Sequence, residues 1–160
     1  MSHPSLGQPP LDLRAGHPAD AAALGRAASR VAARSLEAAV DLDPTFRDRY
    51  DELRLREFLA DLEAFADQLS KAVGANAPQV MSRWAEQVSV RYRKRAVGMD
   101  DVITLCEGLR RAAPMAVTPA AMPSVDAAID AAIATFKWHR RLAGDARKRN
   151  ALLAFIYKGA

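Results

Sequence analysis

Residues 85–111 constrain the fold most, because two amphipathic helical patterns meet there at a single glycine. The segment reads AEQVSVRYRKRAVGMDDVITLCEGLRR and carries a dense basic cluster just before Gly98. On both sides of Gly98 the apolar residues recur every three or four positions, a spacing typical of helices that bury one face. We therefore predict two packed helices joined by a short corner at Gly98.

The composition favours helices throughout the chain. Of the 160 residues 50% are hydrophobic, but much of that share is alanine and only 6% of the chain is aromatic. Alanine is the best helix former, whereas sheets are rich in branched and aromatic residues. We predict one all-α domain, an antiparallel helical bundle of about five helices with a long C-terminal helix.

The N-terminal segment differs from the rest of the chain. Residues 1–18 hold four of the nine prolines and show no apolar period. This composition predicts a disordered arm over residues 1–18 and a single helical domain over residues 19–160. An alanine-rich pattern from Ala19 to Val40 predicts the first helix, and Asp43 followed by Pro44 is a typical start signal for the next.

Glycines suggest where the middle helices end. A helical pattern covers residues 46–73, with a shift in phase near Arg54 where two shorter helices meet, and Gly74 is the expected C-terminal glycine. The next helix covers residues 78–96. Gly98 is expected to break it.

Two more helices complete the predicted bundle. Asp100 or Asp101 is expected to cap a helix that faces the core as far as the proline-rich linker over residues 113–123. Ser124 is the expected cap of the last helix. If that helix is continuous to Tyr157, it is about 51 Å long at roughly 1.5 Å per residue. This length exceeds what a compact domain requires, so we expect its far end to pack against a second copy, unless Gly144 bends it.

The apolar periodicity also predicts the core. The predicted core residues recur at helical spacing in four of the predicted helices. They are Leu59, Leu62, Phe65, Trp84, Val88, Leu105, Leu109, Ile129, Ile133 and Phe136.

Charge is concentrated in two segments of opposite sign. Residues 137–149 contain six basic residues and one acid, whereas residues 41–67 contain nine acids and four arginines. These segments are expected to face each other, within the fold or across a dimer. Nucleic-acid binding through the basic residues is an alternative, but no recognised nucleic-acid-binding motif occurs, so nucleic acid is not an expected partner.

The sequence shows no catalytic constellation. It has no histidine pair at metal-ligand spacing, no cysteine pair, no phosphate loop and no nucleophile elbow. His3 and His17 lie in the arm, which leaves His139 as the one histidine able to bind haem beside Phe136 and Trp138. Because charged residues crowd that turn, we expect no cofactor, and haem binding through His139 remains an alternative. We also expect no metal, since the only plausible ligands are one histidine and one buried thiol.

The single cysteine and the hydropathy indicate the compartment. Cys106 occupies a helical apolar position, so a buried thiol and a reducing cytoplasmic setting are expected. No apolar run approaches the roughly 20 residues of a membrane span, and the N-terminus lacks the features of a signal peptide. We expect a protein that is neither processed nor bound to a membrane.

The segment from Leu55 to Leu109 resembles the N-terminal sensor domain of the stressosome RsbR and RsbRD proteins. The similarity lies in the leucine-rich REFLADLEAFADQL, a loop with glycine and proline, a helix closing on Arg95, the corner at Gly98, and DDVITLCEGLRR. The resemblance implies a non-haem globin-like fold that dimerises and passes a signal along its last helix to a following STAS domain. It marks Arg95 and Gly98 as structural positions and transfers no catalytic residue.

The sequence ends at Ala160, where the linker helix of that family continues. We therefore expect a stand-alone module whose regulatory partner is a separate protein, unless the helical similarity is generic. The predicted function is a non-enzymatic bacterial sensor or regulatory interaction module that forms a homodimer. A haem or other small-ligand binder is the alternative. The predicted interaction residues lie in the last helix and are Arg140, Arg141, Arg147, Lys148, Leu152, Leu153 and Ile156.

Overall fold

The computed structural model describes residues 9–157, with side chains described for residues 9–142. This part of the chain forms α-helices and two 3-10 turns, Ala113–Met115 and Pro119–Ala121, and it contains no strand. The prediction of an all-α helical bundle with a long C-terminal helix is therefore confirmed. The described helices are α1 (Pro18–Arg26), α2 (Ala28–Leu42), α3 (Phe46–Arg49), α4 (Glu52–Ala75), α5 (Gln79–Lys94), α6 (Met99–Ala112) and α7 (Met122–Tyr157).

Helix α4 is central to the packing, because it contacts α1, α2, α5 and α7. Helix α2 also packs along α6, and α7 packs against both α5 and α6. The largest buried side chains belong to α3, α4 and α7 and are Phe46, Phe58, Phe65 and Phe136. Among the residues described, no helix combines the length and the hydropathy needed to cross a membrane.

The predicted core is largely the observed one. Eight of the ten predicted residues are buried, whereas Leu59 and Trp84 are only partly buried against the core. Phe58, which directly precedes Leu59, is fully buried instead. The buried face of α4 thus contains Phe58, Leu62 and Phe65, and Leu59 lies at its edge.

Helices α2 and α6 approach each other closely at Gly108. A Cβ atom on Gly108 would lie 2.2 Å from the backbone oxygen of Ser35 in α2. The Ser35 side chain is buried, and its hydroxyl donates a hydrogen bond to the Val31 carbonyl oxygen at 2.6 Å. Small residues on both helices are therefore what allows this contact, in keeping with the alanine-rich composition.

Helices α4 and α5 end at residues other than the glycines expected from sequence. The last residue of α4 is Ala75, and the left-handed residue after it is Asn76, with φ 49°. The Asn76 N–H donates to the Val73 carbonyl oxygen, and the Ala77 N–H donates to the Ala72 carbonyl oxygen. This is the Schellman pattern. Gly74 was therefore wrong as the terminating residue.

The same pattern ends α5, where Ala96 is the left-handed residue with φ 57°. The Ala96 N–H donates to the Arg93 carbonyl oxygen at 3.1 Å, and the Val97 N–H donates to the Tyr92 carbonyl oxygen at 2.9 Å. Gly98 has an extended backbone, φ −68° and ψ 144°, and precedes the first residue of α6. The chain does turn between α5 and α6 near Gly98, as predicted, but the residue with the left-handed conformation is Ala96.

The predicted helix starts are partly corrected by the structure. Helix α6 begins with Gly98 as its cap, so Asp100 and Asp101 lie in its first turn and neither caps it. Helix α7 begins at Met122, so Ser124 lies inside it as well.

The N-terminal half of the chain also differs from its predicted boundaries. Ala27 separates α1 from α2, where one continuous helix was predicted. Asp43 accepts hydrogen bonds from the Thr45 N–H and hydroxyl ahead of the short α3. Asp51 caps α4 by accepting from the Arg54 N–H at 2.9 Å, close to the predicted phase shift.

Part of the predicted arm contacts the domain. The Gly16 N–H donates to the Gly74 carbonyl oxygen at 2.8 Å, and the His17 N–H donates to the Val73 carbonyl oxygen at 3.0 Å. A Cβ atom on Gly74 would lie 2.8 Å from the Leu13 carbonyl oxygen. Residues 13–17 are thus packed on the C-terminal end of α4, and the prediction for residues 1–8 falls outside the described residues.

Candidate functional site

Arg95, the residue that follows α5, connects the end of that helix to α4. Its guanidinium forms ion pairs with Glu57 at 2.9 Å and with Asp61 at 2.8 Å. The same guanidinium lies over the rings of Phe58 and Tyr92, 5.8 Å and 5.4 Å from their centroids. Since its side chain is only 25% exposed, Arg95 is a structural connection between the two helices.

Tyr92 lies beside this ion pair and stays neutral. Burial raises the pKa of the Tyr92 phenol far above its ordinary value of 10.0, and the nearby Asp61 carboxylate raises this pKa further. A neutral phenol can donate a hydrogen bond but brings no charge to the site. The charged groups here are therefore the arginines and the carboxylates.

A cavity of about 60 Å³ lies between α4 and α5 next to Arg95. Its buried walls include Phe65, Val88 and Tyr92, whereas Arg91 is an exposed residue at its edge. Trp84 and Arg95 also line it. The indole Nε1 of Trp84 and the Nε of Arg95 are buried and have no hydrogen-bond partner among the described residues.

A second ion cluster joins α3 to α6 and explains the position of Asp101. The Arg49 guanidinium pairs with Asp43 at 2.6 Å and with Asp101 at 2.7 Å. The Tyr50 hydroxyl donates a short hydrogen bond to the other Asp101 oxygen. Burial and this hydrogen bond raise the pKa of Tyr50 to about 12. Asp101 therefore holds α3 against α6.

A third cluster joins α6 to α7 through Arg110. Its guanidinium pairs with Glu107 of the same helix at 3.0 Å and with Asp126 of α7 at 2.8 Å, and it also pairs with Asp130 of α7. In each of the three clusters one arginine pairs with at least two acids, and at least one of these acids lies on another helix. Their arrangement is that of structural ion pairs at helix contacts.

Within one chain, the described side chains do not show the predicted pairing of the acidic segment with the basic last helix, and pairing across a dimer stays a prediction. In α4, Glu57 and Asp61 pair with Arg95 beyond the end of α5. In α7, Arg140 pairs with Asp100 of α6 at 2.5 Å. Arg141 is exposed. The remaining predicted basic residues, Arg147 and Lys148, lie outside the described side chains.

His139 lies at the contact between α5 and α7. It is 6% exposed, and its Nε2 lies 2.8 Å from the Glu86 carboxylate. Its Nδ1 is buried, without a hydrogen-bond partner among the described residues. An iron bound to Nε2 would have to displace Glu86, so the geometry gives haem binding through His139 no support.

The C-terminal part of α7, from Trp138 onward, is the best candidate for a surface that packs against another molecule. Among the side chains of α7 that the structure describes, which end at Leu142, His139 is the last buried one, and the helix itself continues to Tyr157. Trp138 and Leu142, one turn apart, are 47% and 42% exposed. The predicted apolar contacts Leu152, Leu153 and Ile156 belong to this helix, but they lie outside the described side chains.

Cys106, the single cysteine of the chain, lies in the core. Cys106 is buried, and its burial raises the thiol pKa to about 12. Over the part of the chain with described side chains, no three His, Cys, Asp or Glu residues gather where they could hold a metal ion. The described side chains that the fold brings together are those of the core and of the ion pairs.

Sequence reasoning identified Arg95 but missed its surroundings. The acids that hold it, Glu57 and Asp61, are one helical turn apart, a spacing that signals a shared face. Nothing in the sequence pairs that face with the end of α5. The cavity beside Trp84 also depends on how two helices cross, and it has no sequence signal of its own.

Comparison with known proteins assigns no family to this chain. No family model, no curated protein and no solved structure matches the chain. The similarity to stressosome sensor domains is therefore carried by the sequence motifs alone.

Proposed function

We propose that this protein is a non-enzymatic regulatory module of the globin-like sensor type, which dimerises through α7 and signals through the packing of that helix. The observation that carries the proposal is the length of α7. This helix has 36 residues, and the last buried side chain described in it is His139. The 18 residues beyond it would extend for about 27 Å at 1.5 Å per residue.

The sequence of α7 gives this extension an apolar face. Trp138 and Ile156 are 18 residues apart, which is five turns of a helix with about 3.6 residues per turn. Leu142 and Leu153 are 11 residues apart, about three turns. The period therefore places all four on one side of α7, the arrangement by which two helices pack along each other.

Apolar burial is expected to dominate this assembly. Exposed ion pairs contribute only about 0–1 kcal/mol each and weaken with salt. Burial of a large apolar side chain contributes roughly 1.5–3 kcal/mol. The basic residues around 147–149 are therefore expected to set orientation and solubility more than affinity.

Packing of α7 on the domain provides the route for a signal. Phe136 contacts the rings of Phe65 in α4 and Tyr92 in α5, with centroid distances of 6.1 Å and 6.5 Å. His139 follows within one turn and pairs with Glu86 of α5. A change in how α4 and α5 pack would therefore act on α7 just before its extension begins.

The test exchanges the exposed apolar residues of α7 for charges. Trp138→Glu with Leu142→Glu is expected to convert the dimer to a monomer in sedimentation or light scattering. The matched control is Leu53→Glu with Met115→Glu, since these residues are 65% and 53% exposed and are not part of α7. Loss of the dimer in the control, or its retention in the α7 variant, contradicts the proposal.

A further inference from the structure

We infer that the proposed dimer is antiparallel and that α5 takes part in it, with Val90 of each copy facing Val90 of the other. The inference rests on the proposed dimerisation through α7 and specifies its geometry. Its basis is a stripe on α5 that contains an acid, an apolar residue and a base, which are Glu86, Val90 and Arg93. Spacings of four and three residues place these side chains on one side of the helix.

Val90 lies beside the proposed dimer surface of α7. It is 44% exposed, and it stands between Glu86 and Tyr92 in α5. Both of these residues contact residues 136–139 of α7. Val90 is therefore at the same height along the α5–α7 pair as Trp138, which is 47% exposed. The exposed apolar surface of α7 thus continues onto α5.

The stripe is self-complementary only in an antiparallel pair. In an isologous dimer a two-fold axis brings the same surface of both copies together. When the axis passes Val90 and the α5 helices run antiparallel, Glu86 of one copy lies opposite Arg93 of the other, with an offset of one residue or about 1.5 Å. In a parallel pair Glu86 faces Glu86 and Arg93 faces Arg93. Like charges would then oppose each other, which disfavours the parallel arrangement.

Both charges of the stripe are accessible to a second copy. The Glu86 side chain is 56% exposed, and its contact with His139 uses one carboxylate oxygen, Oε2. The other oxygen can accept from an arginine. Arg93 is exposed and has no ion pair with any described side chain. Because exposed ion pairs are weak, the two pairs of the dimer set its orientation, and apolar burial holds it together.

The antiparallel arrangement also gives residues 143–157 a surface to pack on. Ala127, Ala131, Ala134 and Trp138 recur at spacings of four, three and four along the outer side of α7, and none of the four is buried. In an antiparallel pair of α7 helices, residues 143–157 of one copy run back along this side of the other. Small side chains allow a close approach there. In a parallel pair the two C-terminal segments would leave the domains together.

Cysteine crosslinking tests this geometry. The single cysteine of the chain, Cys106, is buried, so a thiol added at the surface is the reactive one. Val90→Cys is expected to form a disulfide between copies under mild oxidation, seen as a band of twice the mass in non-reducing electrophoresis, because facing residues meet the distance that a disulfide requires.

Arg93→Cys is the matched control, because it is exposed on the same side of α5. In the antiparallel pair the two residues 93 are six positions apart along the helix axis, about 9 Å, and should not crosslink. In a parallel pair they would face each other and crosslink as readily as Val90→Cys.

Charge reversal tests the pairing between copies. Arg93→Glu places two acids opposite each other at both ends of the stripe and should weaken the dimer at least about fivefold in sedimentation equilibrium. Glu86→Arg with Arg93→Glu restores opposite charges and should recover most of the affinity. Residues 86 and 93 are about 10.5 Å apart along one helix, too far to pair within one chain. Arg111→Glu, the same change at an exposed position of α6, should leave the dimer unchanged.

Each possible failure has its own meaning. A monomeric wild-type protein overturns the proposed dimerisation and this inference with it. A wild-type dimer in which Val90→Cys forms no crosslink leaves the proposed function standing and overturns the role of α5. Equal crosslinking of Val90→Cys and Arg93→Cys overturns the antiparallel orientation, and so does unchanged affinity in the Arg93→Glu variant.

Discussion

Ala96→Gly is expected to stabilise the protein, because residue 96 holds a left-handed backbone conformation. Its φ is 57°, and it closes the C-terminal turn of α5 with two backbone hydrogen bonds. This conformation is unfavourable for a residue with a Cβ atom, because that atom crowds the following carbonyl oxygen. Glycine at this position is the usual solution at helix ends.

The size of the effect follows from two opposing terms. The left-handed conformation costs roughly 1–2 kcal/mol for a residue with a Cβ atom. Glycine in turn adds about 0.5–1 kcal/mol of conformational entropy to the unfolded chain. The net gain in the free energy of unfolding is therefore about 0.5–1 kcal/mol, a rise of roughly 0.3–0.5 M in the urea midpoint for a slope near 2 kcal/mol/M.

The assay is equilibrium unfolding in urea followed by circular dichroism, with Gly98→Ala as the matched control. A Cβ atom on Gly98 would meet only the Asp101 Oδ2 at 3.9 Å, and its backbone is extended. Gly98→Ala should therefore change the free energy of unfolding by no more than about 0.5 kcal/mol. A lower midpoint for Ala96→Gly together with a large loss for Gly98→Ala would refute the assigned corner.

Three further outcomes are expected. Phe65→Ala should lower the free energy of unfolding by about 3–5 kcal/mol, because Phe65 is 1% exposed, whereas Leu53→Ala on the exposed side of α4 should change it by less than about 0.5 kcal/mol; urea unfolding measures both. Cys106, whose pKa burial raises to about 12, should react with a thiol reagent at pH 8 only as fast as the protein unfolds. A hydrogen bond from Thr45, and to a smaller degree one from Arg49, lowers the pKa of Asp43 below 3.8. The ionised Asp43 therefore contributes to the free energy of unfolding above that pH, and this contribution is lost as the pH falls through the folded-state pKa. Asp43→Asn should therefore destabilise the protein at pH 7 and do so progressively less as the pH falls below 3.8, which thermal melts across this pH range would show.

Helical periodicity was sufficient to predict the fold class and most of the core. It fails where the apolar face is wide, as in α4, where Phe58 and Leu59 are adjacent and both fit the period. Only the position of the neighbouring helices decides that Phe58 is buried and Leu59 lies at the edge. Periodicity describes one helix, whereas burial depends on its partners.

The helix ends were less predictable for a related reason. Gly74 and Gly98 lie two residues from the true left-handed positions, Asn76 and Ala96. Gly74 is needed instead for close packing, because a Cβ atom there would lie 2.8 Å from the Leu13 carbonyl oxygen. A glycine can satisfy a turn, a close approach or neither, and the sequence does not distinguish these uses.

Long-range ion pairs could not be predicted from spacing at all. Arg95 pairs with Asp61 across 34 positions of the chain, and Arg110 pairs with Asp126 across 16. Each pair depends on how two helices cross. The interaction residues proposed in α7, by contrast, are predicted from the sequence period and from the length of the helix.

The mass of the full-length protein in solution tests the central proposal most directly. At about 50 µM, a concentration at which a stable dimer is populated, sedimentation equilibrium should give twice the chain mass of 17.4 kDa. Deletion of residues 151–160 should shift the population towards monomer more than 0.5 M salt does, because apolar burial outweighs exposed ion pairs by about 1–2 kcal/mol per residue. A single monomer mass for the full-length chain would contradict dimerisation through α7.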